Sequence, residues 1–227
     1  MNVRYRLERL GACALAVGAL LMPLPVTAQD FPNRPIRLVL GFAPGGNTDF
    51  VARLLTEKVK NALGQSLIIE NRPGANGAIA AEAVAKAAPD GHTLFLTSVG
   101  AVAINPSFRK DLTYDPIKDF APIALLGRAA PVLTVGADLG VTTAPDLVAL
   151  AKRKPGTITI GISGIGAISH LGLELFESAA GVKFLHVPYR GSGPALTDLL
   201  GGQVNGILTD VAEIGRASCR ERVSKQV

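Results

Sequence analysis

The sequence predicts an α/β protein of two lobes, each a parallel-rich sheet flanked by helices. Three observations predict it. Short, branched apolar runs of strand length alternate with longer stretches of helical spacing. Glycine and proline punctuate the changes from one to the other. The alternation runs once before residues 111–130, which hold Pro116 and Pro122, and again after them, with no low-complexity linker between. Strands alternating with helices form parallel sheets covered on both faces. The chain has 227 residues, 48% of them hydrophobic, which is enough for a core and for one or two domains.

In the first lobe, residues 36–42 (IRLVLGF) read as a buried strand. Pro44-Gly45-Gly46 turns the chain. Val51, Leu54, Leu55, Val59 and Ala62 then follow helical spacing, with Gly64 where a C-terminal cap belongs. Residues 66–70 (SLIIE) form the next strand, and Arg72-Pro73-Gly74 breaks it. Residues 77–88 are alanine-rich and helical, closed by Pro89-Asp90-Gly91, and residues 93–98 are a third strand. In the second lobe, strands are expected at 132–136, 157–162, 183–187 and 204–208. Helices are expected at 144–153, with Pro145 near the start, at 168–180 and at 194–200. The lobes are assigned to residues 29–126 and 127–213.

Both ends read differently from the middle. Arg4, Arg6 and Arg9 precede an apolar run at 11–22, too short to span a bilayer, and Val26-Thr27-Ala28 is a small-residue cleavage pattern. Residues 1–28 are therefore expected to be a secretory signal peptide cut after Ala28, with an uncleaved anchor the weaker reading, so the protein is expected to be exported. Leu10-Gly11-Ala12-Cys13 stands at the front of the apolar run instead of following it, so lipidation is not expected. Residues 214–227 have no apolar period. EIGRASCRERV resembles the translation of a sequencing adapter, and the tail is expected to be an artefact. The net charge of +5 lies wholly in these ends. The leader has three arginines and one glutamate, and the tail has four cations and one glutamate, leaving the middle neutral. No electrostatic footprint for nucleic acid survives. Cys13 and Cys219 also fall in the ends, so the folded part has neither disulfide nor thiolate metal site. No metal and no cofactor are expected.

Ligands of parallel sheets collect where strands end and helices begin. Four such loops are rich in small residues: 43–49, 97–101, 163–169 and 189–194. Each can aim backbone N–H groups at a shared cleft from the positive end of a helix. The candidate ligand-binding residues are Phe42, Ala43, Pro44, Gly45, Gly46, Asn47, Thr48 and Asp49; Thr97 and Ser98; Ser163, Gly164, Ile165, Gly166, Ser169 and His170; Tyr189, Arg190, Gly191, Ser192 and Gly193; and Asp210. Asp49 serves either as compensation for the helix dipole or as an acceptor for a ligand. Arg190 either pairs with a carboxylate in bidentate fashion or stands at the rim in solvent. Gly161-Ile162-Ser163-Gly164-Ile165 misses the nucleophile-elbow spacing. Gly164-Ile165-Gly166 has Ser169 where a dinucleotide fingerprint needs glycine. The histidines are scattered. His92 reads as solvated in its turn, His186 as a satisfied core residue, and His170 as the one beside a site. A secreted hydrolase using Ser163, His170 and Asp210 is the alternative function.

Several motifs occur in register from about Phe31 to Asp210. They are FPNRPIRLV, FAPGGNTD, ENRPGA, AAPDGHTL, DPIKDFAPI, SGIGAISHL and HVPYRGSGPALTDLLGGQV. In this the chain resembles the periplasmic solute receptors of tripartite tricarboxylate transporters, the Bug receptors. The resemblance implies a two-lobed periplasmic binding protein of the flytrap kind, acting as a monomer and not as an enzyme. Its lobes would close on a small organic carboxylate and deliver it to a membrane permease with two different subunits. By the same resemblance, the loops named above supply the contacts. The family's chain continues past VNGILTD to complete the first lobe, whereas the adapter-like tail follows here, so the end of the first lobe is expected to be missing. Apolar burial is worth about 25 cal/mol per Å² against a folding margin of about 5–15 kcal/mol. Uncovered surface on the strands of Ile36, Ile68 and Leu94 is expected to leave this chain poorly stable or prone to aggregate.

Overall fold

The computed structural model describes residues 31–211, 214–215 and the backbone of 223–226. The leader expected at 1–28 lies outside these residues, as does most of the tail. The chain divides into two units, residues 1–33 and 34–227. In the first unit, the described part contains a cis bond between Phe31 and Pro32. The second unit holds every element that follows.

The first sheet is β1 (Ile36–Leu40), β2 (Leu67–Asn71) and β3 (Thr93–Leu96) in the order β2-β1-β3, all parallel. Helix α1 (Asn47–Leu63) joins β1 to β2, and α2 (Ala78–Ala85) joins β2 to β3. The alternation of strand and helix thus has its expected result. Gly64 ends α1 in the left-handed region (φ 67°), donating its N–H to the carbonyl of Lys60, a closure that glycine makes without steric cost. Ile36, Leu38, Leu40, Ala52 and Leu67 form a small buried core. Surface predicted to lack cover is mixed: Ile36 is buried, whereas Ile68 is 52% exposed.

The second sheet contains β4 (Pro131–Gly136), β5 (Thr159–Ile162), β6 (Leu185–Pro188), β7 (Gly206–Asp210) and β8 (Val223–Gln226), in the order β6-β5-β7-β4-β8. Three helices accompany it: α4 (Ala144–Arg153), α5 (Ile168–Ala180) and α6 (Ser192–Leu200). Strand β5 is parallel to both β6 and β7, while β4 is antiparallel to β7 and β8. β8 lies in the tail, where the sequence predicted no element. Thr143 caps α4 by accepting the Asp146 N–H at 3.3 Å, with Pro145 in the first turn, where its missing N–H is no loss. The larger core is here: Leu133, Val135, Leu147, Ile160, Ile162, Leu173 and Phe184 are among its buried members.

One helical stretch was not anticipated. After β3 the chain makes a wide helical turn at Gly100–Ile104 and continues into α3 (Asn105–Phe108). Pro106 sits in the first turn of α3, where its missing N–H is no loss. No helix among the described residues is long and apolar enough to cross a membrane.

Candidate functional site

A cavity of about 680 Å³ opens between the carboxyl ends of the two sheets' strands. From the first sheet it is lined by Phe42 after β1, by residues 73–76 after β2, by Ile79 of α2, and by Phe108, Arg109 and Asp111. From the second it is lined by Ser163, Gly164 and Ile165 after β5 and by Pro188, Tyr189 and Arg190 after β6. Of the predicted residues, Phe42, Ser163, Gly164, Ile165, Tyr189 and Arg190 therefore share one hollow. Its other walls were missed. Arg72-Pro73-Gly74 reads in the sequence as a strand break, yet Pro73-Gly74-Ala75-Asn76 forms a ledge of the cavity. Gly74, Ala75, Asn76 and Gly77 all have positive φ, and for Ala75 (48°) and Asn76 (52°) this is strained. The Asn76-Gly77 pair is the sequence signal that could have marked the ledge, because both residue types favour that conformation.

The ledge is held from behind and in front. Fully buried Asn105 donates to the carbonyls of Ala75 (3.1 Å) and Asn76 (3.3 Å). Asn76 Nδ2 donates to Asn105 Oδ1 at 3.1 Å and, across the cavity, to the carbonyl of Gly166 at 2.8 Å.

Other predicted residues join the two halves beside the cavity. The Ala43 N–H donates to the Arg190 carbonyl at 2.9 Å. Gly193 lies so close to the preceding turn that a Cβ there would stand 2.5 Å from the Pro44 carbonyl oxygen and 3.1 Å from the Gly46 nitrogen. Pro44, Gly45 and Gly46 thus meet the loop carrying Gly191, Ser192 and Gly193 backbone to backbone. Asn47 Nδ2 donates to Asp210 Oδ2 at 2.8 Å. Burial pushes the Asp210 carboxyl above its ordinary value, and the Asn47 bond only partly offsets this.

Thr48, Asp49, Thr97 and Ser98 do not line the cavity. Asp49 is buried at the start of α1, where it accepts the Gly45 N–H (3.1 Å), Arg53 Nε (2.9 Å) and Asn71 Nδ2 (3.3 Å). Burial pushes its carboxyl up, but the bonds from Arg53, Gly45 and Asn71 outweigh this and hold it below the ordinary range. Thr97 Oγ1 is buried without a partner among the described residues, and Ser98 Oγ accepts the Gly100 N–H at 3.4 Å.

The triad of the alternative reading is not assembled. Ser163 Oγ lies 2.8 Å from Ser169 Oγ, His170 Nδ1 accepts the Gly166 N–H at 3.1 Å, and Asp210 is bound to Asn47. A nucleophile and its base need to be within hydrogen-bond reach, and these residues are engaged elsewhere. Ser169 is buried and also accepts the Ser163 N–H at 2.9 Å, so it shapes the 163–166 turn. His92 is buried rather than solvated, because the Asp90 carboxylate and carbonyl turn it inward. Two of the apparently scattered histidines meet: the rings of His170 and His186 are 5.4 Å apart, edge to face.

The charged side chains lining the cavity are Arg109, Asp111 and Arg190. Arg109 is engaged by Asp111 through two hydrogen bonds, at 3.0 and 2.6 Å. No carboxylate among the described residues pairs with Arg190, which leaves its fork of donors available. Tyr189 donates to Asp198 Oδ2 at 2.6 Å. Burial and that carboxylate push its hydroxyl up to about 12, so it stays a neutral donor.

The family profile described as tripartite tricarboxylate transporter family receptor matches residues 51–218. The chain belongs to that family. Solved structures of similar proteins agree with a TctC-type receptor fold. The R. palustris protein Rpa4515, solved with adipate, is 35% identical and superposes with a TM-score of 0.83 over 87% of this chain and 66% of that one. MatC from Rhodopseudomonas palustris, with bound malate, is 34% identical, with a TM-score of 0.79 over 86% and 66%. BugD, a periplasmic binding protein, is 35% identical, with a TM-score of 0.78 over 86% and 65%. The fold class predicted from the sequence is the one these receptors share. The chain spans 62%, 56% and 54% of the lengths of the first curated relatives that it matches.

Proposed function

We propose that this chain is an exported periplasmic receptor that captures a small organic carboxylate between two lobes, residues 29–126 and 127–213. It delivers the carboxylate, unchanged, to the membrane permease of a tripartite tricarboxylate-type transporter. The observation that carries the reading is Arg190, an uncompensated guanidinium on the wall of a cavity to which both sheets contribute. Arginine matches a carboxylate with two parallel hydrogen bonds. Phe42, Ile79, Phe108 and Ile165 suit the carbon body of such an acid. Ser163, Gly164 and Tyr189 supply further polar groups, and the bonds from Ala43 to Arg190, Asn47 to Asp210 and Asn76 to Gly166 hold the closed arrangement. Ligand that touches both halves favours that arrangement over an open one. The acids bound by Rpa4515 and MatC support the ligand class. The basic, apolar, small-residue leader supports export.

Isothermal titration of the chain against adipate, malate and a panel of aromatic and amino acids tests the reading. One acid is expected to bind at one site, and Arg190→Met should weaken it at least about tenfold, or about 1.4 kcal/mol. Arg34→Met, at a remote ion pair with Asp90, should leave affinity unchanged. Absence of heat across the panel, or equal affinity in the Arg190 variant, overturns it.

A further inference from the structure

We propose that His170, Glu174 and His186 form a binding site for a zinc-class divalent ion on the second sheet, apart from the carboxylate cavity. His170 and Glu174 lie one turn apart on α5, so they share a face. His186 meets them from β6, the edge strand of its sheet. One ligand atom from each lies within 4.8 Å of the other two. Glu174 Oε1 is 3.7 Å from His170 Nε2 and 3.7 Å from His186 Nδ1. Those distances are too long for hydrogen bonds. They are close to the separation of about 3.4 Å between ligands in a tetrahedron with zinc bonds of about 2.1 Å. Glu174 is half-exposed and can make up the difference.

The surroundings of His186 suit a metal ligand. Its Nε2 is 2.8 Å from Glu177 Oε1, a carboxylate with a side chain only 1% exposed. Glu177 is itself fixed by the Phe184 N–H (2.7 Å) and Lys183 Nζ (2.8 Å). The Nε2–H therefore donates to Glu177, and the Nδ1 lone pair faces the cluster. A buried carboxylate behind an imidazole is the usual support of a metal-binding histidine. Lys183 Nζ stands 3.6 Å from Glu174 Oε2, leaving Oε1 for the ion. Two imidazoles and one carboxylate without thiolate suit zinc, with water as the fourth ligand.

His170 sets the cost. Its Nδ1 accepts the Gly166 N–H, so its own proton sits on Nε2. Binding at Nε2 moves that proton to Nδ1, with no net release, and takes the acceptor from Gly166. The affinity expected is therefore micromolar. Occupancy would also be felt at the Gly166 turn, whose carbonyl holds Asn76.

Titration of the full chain with Zn²⁺ should show one micromolar site. His170→Ala and His186→Ala should each weaken it at least about thirtyfold and Glu174→Gln about tenfold, in the range seen when zinc ligands and their supports are lost. His92→Ala should leave it unchanged. Circular dichroism confirms that each variant is folded. Glu174→Gln, at a half-exposed position, tests the site where a histidine variant fails that check. X-ray absorption of the wild-type zinc complex should show only nitrogen and oxygen at about 2.0–2.1 Å, with imidazole outer shells. No zinc binding, unchanged binding in Glu174→Gln, or a sulfur shell at about 2.3 Å from Cys13 or Cys219 overturns the proposal.

Discussion

Asn76 reaches 90 positions along the chain to hold Gly166, its Nδ2 donating to that carbonyl at 2.8 Å. The residue making this bond is buried, has φ 52°, and stands on a ledge clamped by Asn105. A strained backbone therefore carries one of the links between the first sheet's loops and the second's.

Replacement of Asn76 separates strain from linkage. Asn76→Gly keeps the backbone conformation and loses both side-chain bonds. Asn76→Ala loses the same bonds and adds strain. Each should destabilise by about 2–4 kcal/mol, because buried acceptors on Gly166 and Asn105 lose their donor, with alanine the worse by about 1 kcal/mol. Urea denaturation measures both. Equal stability of the wild type and Asn76→Gly would show that the link contributes nothing.

Gly193→Ala tests the backbone contact between the halves. Alanine is about 1 kcal/mol better than glycine within a helix, so α6 by itself should not suffer. The new methyl would meet the Pro44 carbonyl at 2.5 Å and force the turns apart. Carboxylate affinity should fall more than about tenfold, equivalent to about 1.4 kcal/mol, and small-angle scattering with ligand present should show a larger radius. Unchanged affinity would mean that this contact is not needed for capture.

Two carboxyls, buried Asp49 and half-buried Asp210, should give opposite pH dependences. The Asp49 carboxyl is held below its unfolded value, so its stabilisation is present above that value and is lost as pH falls through the folded one. Asp49→Asn should therefore cost stability at pH 7, and the deficit should shrink in acid. The Asp210 carboxyl is raised, so its contribution is complete below the unfolded value and fades as pH rises through the folded one. Asp210→Asn keeps an acceptor for Asn47 and should gain stability at pH 7, a gain that disappears near pH 4. Melting curves of both variants between pH 4 and 8 decide, and parallel curves would contradict both assignments.

Ile117, Ile123 and Leu125 are 86%, 80% and 73% exposed. Contiguous exposed apolar side chains promote association. Ile123→Gln with Leu125→Lys should reduce self-association in sedimentation at high concentration. It should change stability by no more than about 0.5 kcal/mol, since these side chains bury little. Association undiminished in the double variant would place the sticky surface elsewhere.

Local chemistry was readable in the sequence. Helix α4 and helix α5 run where spacing and Pro145 put them, and Gly64 closes α1 as a left-handed cap. Those features depend on neighbours three or four residues away. The loops at the strand ends were identified for the same reason, because a run of small residues before a helix is a local signal.

Which loops meet was a tertiary decision. Phe108 and Arg109 reach the cavity only because α3 continues the helical turn at Gly100–Ile104, and the 73–76 ledge only because β2 lies beside β1. Asp49 reads in the sequence as a partner of the helix dipole or as a ligand acceptor. Only the tertiary structure buries it in the first turn of α1 against Arg53 and Asn71. His170 and His186 are neighbours through the packing of α5 on β6, and the direction of β4 follows from its pairing with β7. Helical and strand periods act over a few residues. Sheet order, and the contacts it brings between distant loops, are set by the burial of whole elements against one another.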